Sequence, residues 1–569
     1  MFISNEKLKK ILISAKMIDE ETWADVVKNA NRLSCPVEDI LKERDIIGGH
    51  LFYELVEKGI GFPYVNLKKT DIASHVLERF SPELVSMYKA IPFEYDERKK
   101  ILKVAFQDPT DTKAINTLVK RCGCKIDVYF TGKESYRFAS RYYNKSVAEK
   151  IKKLIHSSAK RVSAKTSATV GRKIFGNIIE YIYYSQPSDV HVEHLRDRGI
   201  IKLRVDGFLR DEIDVPSEIA TAIVDLIKKE SSLNTDALHQ TADGRFAWNV
   251  FGELLAFRVS ILPTYYGEKA CLRVLDESRQ KASLRELGFR ESDISLAQKE
   301  IKKPYGLVLV AGPTGSGKTS TLYALLKLLN VEGVSIATIE DPVEYSIRHV
   351  NQTQVDAEHG FTFARGLREI LRQDPNVIMV GEIRDNETAG IVIQSALTGH
   401  IVISTLHSNT AVESITRLRN MDIRPYLLSP TINLVISQRL VKRICPYCRV
   451  SYKLDKAFLD SIDKDTGIRR SLDKLKKLGL LNFATYDDVR FYTGKGCGKC
   501  GGKGMSGRVG IFEIFIVDEE IRNMILQDSS AFEIQKRAEE KGFLTLFEDG
   551  LVKVIEGETS VGEIMRIMS

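Results

Sequence analysis

Apolar positions in the C-terminal half of the chain fall into short runs with the length of buried strands. The longest are Gly306–Ala311 (GLVLVA) and Ile401–Leu406 (IVISTL), both far below the 18 or more residues of a membrane span. Val377–Val380 and Ser335–Ile339 read as further strands, and Ser320–Leu329 as an amphipathic helix. Strands alternating with helices predict a mostly parallel α/β sheet from about residue 287 to the end.

Upstream the pattern changes twice. Residues 174–286 hold helical segments at Phe175–Tyr184 and Ile219–Ser231, with strands at Val190–His194, Ile200–Val205, Leu255–Ile261 and Ala270–Leu275. Residues 1–70 carry a repeat of period 29. Ile11, Leu12, Ile18, Val26 and Val27 map onto Ile40, Leu41, Ile47, Leu55 and Val56. Each half reads as helix, turn, helix, and the two are expected to pack on each other because one alone is too small to bury its apolar face. Ile101–Phe106 and Ile126–Phe130 read as strands of a small α+β part, with a turn at Asp108–Asp111 leading into a helix.

Length and charge refine this outline. A chain of 569 residues holds several domains, and 43% hydrophobic with 28% charged residues excludes bulk disorder and fibrous classes. The net charge of +8 is not spread out. Residues 145–173 carry nine Lys or Arg and one acid, Glu149, and the rest of the chain sums to zero. That stretch reads as a basic, flexible linker, with room for a short helix at Lys145–Ile155 and an aperiodic Ser, Ala, Lys and Thr run at Ser157–Thr169. The expected domains are an N-terminal module (1–144), the linker (145–173), a second module (174–286) and a C-terminal α/β domain (287–569). The last includes a tetracysteine subdomain at about 440–505 and a helical end at 506–569. The N-terminus (MFISNEKLKKILIS) has no signal-peptide pattern, which predicts a cytoplasmic chain with reduced thiols.

Candidate chemistry concentrates in the C-terminal domain. Gly312-Pro313-Thr314-Gly315-Ser316-Gly317-Lys318-Thr319 fits G-x-x-x-x-G-K-[ST], with a strand before it and a helix, opened by Ser320, after it. Backbone N–H groups and the helix N-terminus cradle phosphate there, Lys318 reaches the outer phosphates, and the Thr319 hydroxyl suits Mg²⁺. Glu382, just past Val377–Val380, is the second magnesium-side acid. In the acidic stretch Glu340-Asp341-Pro342-Val343-Glu344, either Glu340 or Glu344 can orient an attacking water. His400 and His407 bracket the strand Ile401–Leu406. Cys445-x-x-Cys448 and Cys497-x-x-Cys500 offer four thiolates for a closed, structural Zn²⁺ site, interrupted by a helical excursion at Phe458–Leu480. Gly496, Gly498, Gly501 and Gly502 supply the tight turns.

The phosphate loop together with TIEDPVEY (338–345), TFARGLREILRQD (362–374), VGEIRD (380–385) and LTGHIVISTLH (397–407) resembles the secretion ATPase superfamily. Within it the chain is similar to the type IV pilus assembly and type II secretion branch, over residues 173–569 and more weakly in the N-terminal module. The resemblance implies a RecA-like P-loop motor domain preceded by an α+β, PAS-like domain, with an N-terminal α+β docking module. It implies a cytoplasmic homohexamer at the inner face of the membrane, hydrolysing ATP with Mg²⁺ between subunits. Its partners would be an inner-membrane platform protein and a membrane-associated adaptor. By the same resemblance His407 is catalytic and His400 a nucleotide contact. Arg258 and Arg273 match arginines that reach the γ-phosphate from the preceding module. Relatives that bind cyclic di-GMP do so through Arg-Leu-Gly openings of the repeat. Here those openings read Lys7-Leu8-Lys9 and Pro36-Val37-Glu38, so that ligand is not expected. The alternative class is a nucleic-acid translocase, which should carry basic and aromatic residues through a channel. The charge pattern places its excess in one segment instead, so no nucleic-acid partner is expected.

Overall fold

The computed structural model describes the chain except for residues 1–2, 48, 160–163, 206–207, 235–240, 252, 276–282, 454–455, 498–499, 501 and 569. Contacts divide it into two compact units, Met1–Glu20 with Gly49–Arg279, and Glu21–Gly48 with Gln280–Ser569.

In the first unit, helices α1 (Asn5–Ser14) and α4 (Gly49–Ile60) pack on each other. A three-stranded sheet follows, of β1 (Ala90–Asp96), β2 (Ile101–Phe106) and β3 (Lys125–Phe130). The β1–β2 pair is antiparallel and the β2–β3 pair parallel. The Asp111 side chain caps the helix Thr112–Cys122 by accepting the Ala114 N–H at 2.9 Å, as the turn predicts. A six-stranded antiparallel sheet completes the unit. Its strands are β4 (Asp189–His194), β5 (Gly199–Val205), β6 (Phe208–Val215), β7 (Ala242–Val250), β8 (Glu253–Thr264) and β9 (Gly267–Leu275), in the order β6-β5-β4-β9-β8-β7.

Residues 145–173 differ from the expected flexible linker. Helices Asn144–Ala159 and Ala164–Ser185 cover most of that stretch, and residues 160–163 lie outside the described ones. Val147, Ile151 and Ile155 recur at helical spacing, are buried, and share one apolar cluster with Leu102 and Val104 of the small sheet and Phe257 of the large one. The lysines occupy the opposite face, where Lys150 pairs with Glu83 at 3.1 Å. The short helix the sequence allows at Lys145–Ile155 thus extends over Asn144–Ala159, with an apolar stripe three residues long.

The four helices of the repeat form, and α1 of the first half packs on α4 of the second; α2 (Glu20–Arg32) and α3 (Val37–Glu43) belong almost wholly to the second unit.

The second unit is built on a seven-stranded sheet in the order β12-β11-β13-β14-β10-β15-β18. These strands are β10 (Gly306–Ala311), β11 (Ile336–Glu340), β12 (Asn351–Gln354), β13 (Val377–Val380), β14 (Ile401–Leu406), β15 (Ile432–Ile444) and β18 (Met505–Ile516). All pairs are parallel except β15–β18. Every residue of β10, β13 and β14 is buried, because helices pack on both faces and form two apolar clusters. An antiparallel pair, β16 (Arg449–Tyr452) with β17 (Phe491–Gly494), flanks the helices Lys456–Thr466 and Ile468–Lys477.

Candidate active site and thiol cluster

Parallel strands aim their carboxyl ends at one edge of the sheet, and loops there converge. β10 ends at Ala311 and the phosphate loop begins at Gly312. The helix Lys318–Leu329 carries Gly317 as its N-cap, at φ 92°. A Cβ on Gly317 would lie 2.8 Å from the Gln438 amide nitrogen, and one on Gly312 would lie 2.6 Å from the Gln438 carbonyl oxygen. Only glycine lets the loop curl this tightly over β15. Gln438 is buried and accepts the Thr321 hydroxyl at 2.6 Å, fixing the helix that follows the loop. The Lys318 ammonium donates to the Gly312 and Pro313 carbonyls at 2.8 and 3.1 Å. Thr319 and Ser320 are exposed at the first turn, with Thr314 and Gly315 exposed in the loop above and Ser316 buried beneath it.

Glu382 follows β13 on a segment pinned by Gly381 N–H to Ile339 at 2.8 Å and by the Thr405 hydroxyl to Gly381 at 2.7 Å. His407 Nε2 lies 3.3 Å from the Glu382 carboxylate, and Arg384 pairs with the same group. Burial lowers the Lys318 ammonium from its ordinary value, and the Glu382 charge opposes that shift. Lys318, Glu382 and His407 thus meet at the carboxyl edge formed by β10, β13 and β14.

The two acidic candidates separate. Glu340 is buried and its oxygens are taken up by donors. The Tyr323 hydroxyl donates to Oε2, while Thr338 and Gln352 donate to Oε1 at 2.6 and 3.0 Å. Burial and the neighbouring Glu340 push the Tyr323 phenol up, so it stays a donor. Glu344 is half-buried on the following loop, after a cis Asp341–Pro342 bond. Among the described residues no hydrogen bond or ion pair engages the Glu344 carboxylate. The loop is folded by Gln352, which donates to the Tyr345 carbonyl at 3.0 Å and accepts the Ile347 N–H at 2.6 Å. Tyr323, Gln352, Gln438 and Arg384 were not singled out as site residues from the sequence. Their roles depend on partners that only the folded sheet brings near.

His400 does not join this group. The parallel register sets Gly306 against Ile401 and Ala311 against Leu406, so His400 stands at the amino edge, where its carbonyl accepts the Gly306 N–H at 3.1 Å. A strand rises ~3.3 Å per residue, which puts it roughly 20 Å from His407. The register therefore sets His400 and His407 at opposite edges of the sheet, with the phosphate loop at the His407 edge.

Arg258 and Arg273 lie on the six-stranded sheet of the first unit, directly opposite each other on β8 and β9. The row continues on both sides. Arg245 faces Arg258, Arg273 faces Asp189, and Asp189 faces Arg204. Asp189 pairs with Arg273 and Arg204, both at 3.3 Å, and the Arg273 side chain is 60% exposed.

The four predicted cysteine ligands converge. Their sulfur atoms all lie within 4.8 Å of one another, with Cys445–Cys497 and Cys448–Cys500 at 3.9 Å and Cys497–Cys500 at 3.7 Å. Tetrahedral zinc with Zn–S near 2.3 Å requires sulfur separations of roughly 3.8 Å, so the donor set fits that ion. Burial acts to raise the Cys500 thiol, but N–H donation from Cys497 and Gly504 brings it down to about 6. Gly496 and Gly502 adopt φ of 90° and 78°; Gly498 and Gly501 lie outside the described residues.

Comparison with known proteins places this geometry. Residues 163–566 match the family model described as type II/IV secretion system protein, and residues 60–145 match the MshEN domain. The chain is 34% identical over 539 residues to the type IV pilus assembly ATPase PilB of Thermus thermophilus, covering 93% of this chain. It spans 58% of that relative's length. It is 42% identical over 380 residues to the type II secretion system protein E of Pseudomonas aeruginosa, covering 67% of this chain and 72% of the relative. Among solved structures, the ATPase DotB of Legionella pneumophila superposes with a TM-score of 0.50 at 20% identity. That match covers 70% of this chain and 95% of DotB, and it shows a shared fold.

Proposed function

The chain belongs to the type II/IV secretion system protein family, and we propose that it is a motor ATPase. In this reading it hydrolyses ATP to drive pilus assembly or type II secretion. The supporting observation is the meeting of Lys318, Glu382 and His407 beside the phosphate loop. The loop's N–H groups and the helix N-terminus receive the phosphates, and Lys318 turns from the Gly312 and Pro313 carbonyls to the outer phosphate oxygens. Thr319 and Glu382 would hold Mg²⁺, which supplies charge neutralisation at the phosphates when bound. His407 orients the Glu382 carboxylate. Glu344, whose carboxylate is not spent on the fold, orients the attacking water. Glu340 shapes the loop that carries it.

Arg258 and Arg273 act on the γ-phosphate held by a second copy of the chain. Like charges directly opposite on neighbouring strands oppose pairing, and an anion above the row offsets that cost. This supports a homo-oligomer, a hexamer in the family's pattern, with a RecA-like motor domain and the six-stranded sheet as its preceding PAS-like domain. Its proposed partners are an inner-membrane platform protein and a membrane-associated adaptor, as the family resemblance implies. Among the described residues no helix is long and apolar enough to cross a membrane, so the chain reaches them peripherally. Zinc held by Cys445, Cys448, Cys497 and Cys500 ties β16 and β17 to β15 and β18, a structural role, since four thiolates leave no open position.

Lys318→Ala should abolish ATP turnover in the purified full chain; undiminished hydrolysis would sink the motor reading. Elemental analysis should find about one zinc per chain, and a metal-free chain with unchanged melting would remove the structural zinc.

A further inference from the structure

The loop between β11 and β12, which carries Glu344, is gripped from two directions within the second unit. Gln352 holds it from inside, through the Tyr345 carbonyl and the Ile347 N–H. The N-terminal segment 21–48 holds it from outside. The Arg348 guanidinium donates to the carbonyls of Leu33 and Ser34. His349 Nε2 lies 2.8 Å from the Arg32 carbonyl. Arg32 in turn donates to the Asn330 carbonyl at 2.6 Å and to its side-chain oxygen at 2.9 Å. Asn330 is the C-cap of the phosphate-loop helix, and its amide donates to the Arg348 carbonyl at 2.8 Å. Lys28 pairs with Glu332 just beyond. At the other end of the segment the nearly buried Asp45 accepts the Arg285 N–H at 3.2 Å.

These contacts share two properties. They join the far, C-terminal end of the phosphate-loop helix to the loop that carries Glu344. They also hold His349 at φ 57°, a left-handed conformation unfavourable for a residue with a Cβ. Ile347, one position before Arg348, is the residue whose N–H Gln352 grips. A pull on Arg348 and His349 therefore acts on the same short loop that carries Glu344. The chain passes to the other unit at both ends of the segment, at Glu20–Glu21 and Gly48–Gly49.

We propose that residues 21–48 are a positioning clamp for ATP hydrolysis. They hold the acidic loop in the arrangement that aims Glu344, and a load on the first unit that draws them off the loop slows turnover without releasing nucleotide. The clamp rests on the reading of Glu344 as the residue that orients water, and it assigns the N-terminal repeat a role in the reaction beyond docking.

The test uses the full-length chain with Arg348→Ala, Arg32→Ala and the conservative Arg348→Lys. Three quantities are read: steady-state ATP turnover, affinity for a fluorescent ATP analogue, and hydrogen exchange of residues 341–350. A small misplacement of a reacting group is costly, so kcat should fall about tenfold or more in both alanine variants. Affinity should stay within about twofold, since the phosphate contacts are intact. Exchange of residues 341–350 should rise. Arg348→Lys should recover most of the turnover, because an ammonium can donate to the same two carbonyls. Unchanged kcat in both alanine variants overturns the clamp, as does a loss of kcat matched by an equal loss of affinity. Glu344→Gln in the unaltered background separates the two ideas. If it abolishes turnover while the arginine variants stay active, the clamp alone fails. If it leaves turnover intact, the Glu344 reading fails and the clamp falls with it.

Discussion

At the carboxyl edge of the parallel sheet, opposite charges close on one another. On the face of the antiparallel sheet, like charges stand in line. Glu382 pairs with Arg384 and lies beside His407 within one unit, and its charge acts on the nearby Lys318. Arg245, Arg258, Arg273 and Arg204 stand in one row with Asp189, which pairs with Arg273 and Arg204. The first arrangement is ready to receive a phosphate chain. The second is a row of four arginines set across neighbouring strands around Asp189. The difference teaches how the work is divided in the proposed motor. One region binds the nucleotide, and the other is set to supply charge when a transition state forms beside it.

Three substitutions can break or sharpen that division. Arg258→Ala carries the larger expected effect. Turnover should fall about 10³-fold with nucleotide affinity preserved, as for arginine fingers in other phosphoryl-transfer enzymes. Equal losses in turnover and affinity would move Arg258 into the binding region, and unchanged turnover would leave the row as mere surface. The two ends of β14 give a smaller and sharper contrast. His407→Ala should cost about tenfold in kcat by freeing Glu382 to turn, while His400→Ala, at the opposite edge, should change kcat by less than about twofold. Comparable losses at both positions would contradict the account of strand direction.

Much of this was legible in the sequence, for reasons that can be named. β10, β13 and β14 stand out because a strand buried on both faces is apolar at every position. The phosphate loop and the thiol quartet are local or evenly spaced patterns whose chemistry fixes the residue types. What stayed hidden depends on register and on non-local partners. No expected strand falls on β1, β6, β7, β12, β15, β16, β17 or β18; β7 alternates polar and half-buried residues without a strong apolar run, and β18 opens the stretch 506–569 expected to be helical. The arginine row exists only because β7, β8, β9, β4 and β5 align those positions, and net charge cannot reveal it. The basic stretch at 145–173 drew attention for its charge, yet its three core positions, Val147, Ile151 and Ile155, decide its structure. Glu340 and Glu344 were equivalent as letters four apart. Only the burial of Glu340 under Tyr323, Thr338 and Gln352 tells them apart.

The account's central claim is that one copy binds ATP and another completes the site, and co-assembly tests it directly. Full-length Lys318→Ala and Arg258→Ala chains, each inactive alone, are co-expressed, purified as one assembly and assayed for ATP turnover. Some interfaces in the mixture pair an intact Lys318 with an intact Arg258 from the neighbour, so turnover should recover well above the sum of the two variants alone. Turnover no greater than that sum, in assemblies shown to contain both chains, would contradict a site shared between copies.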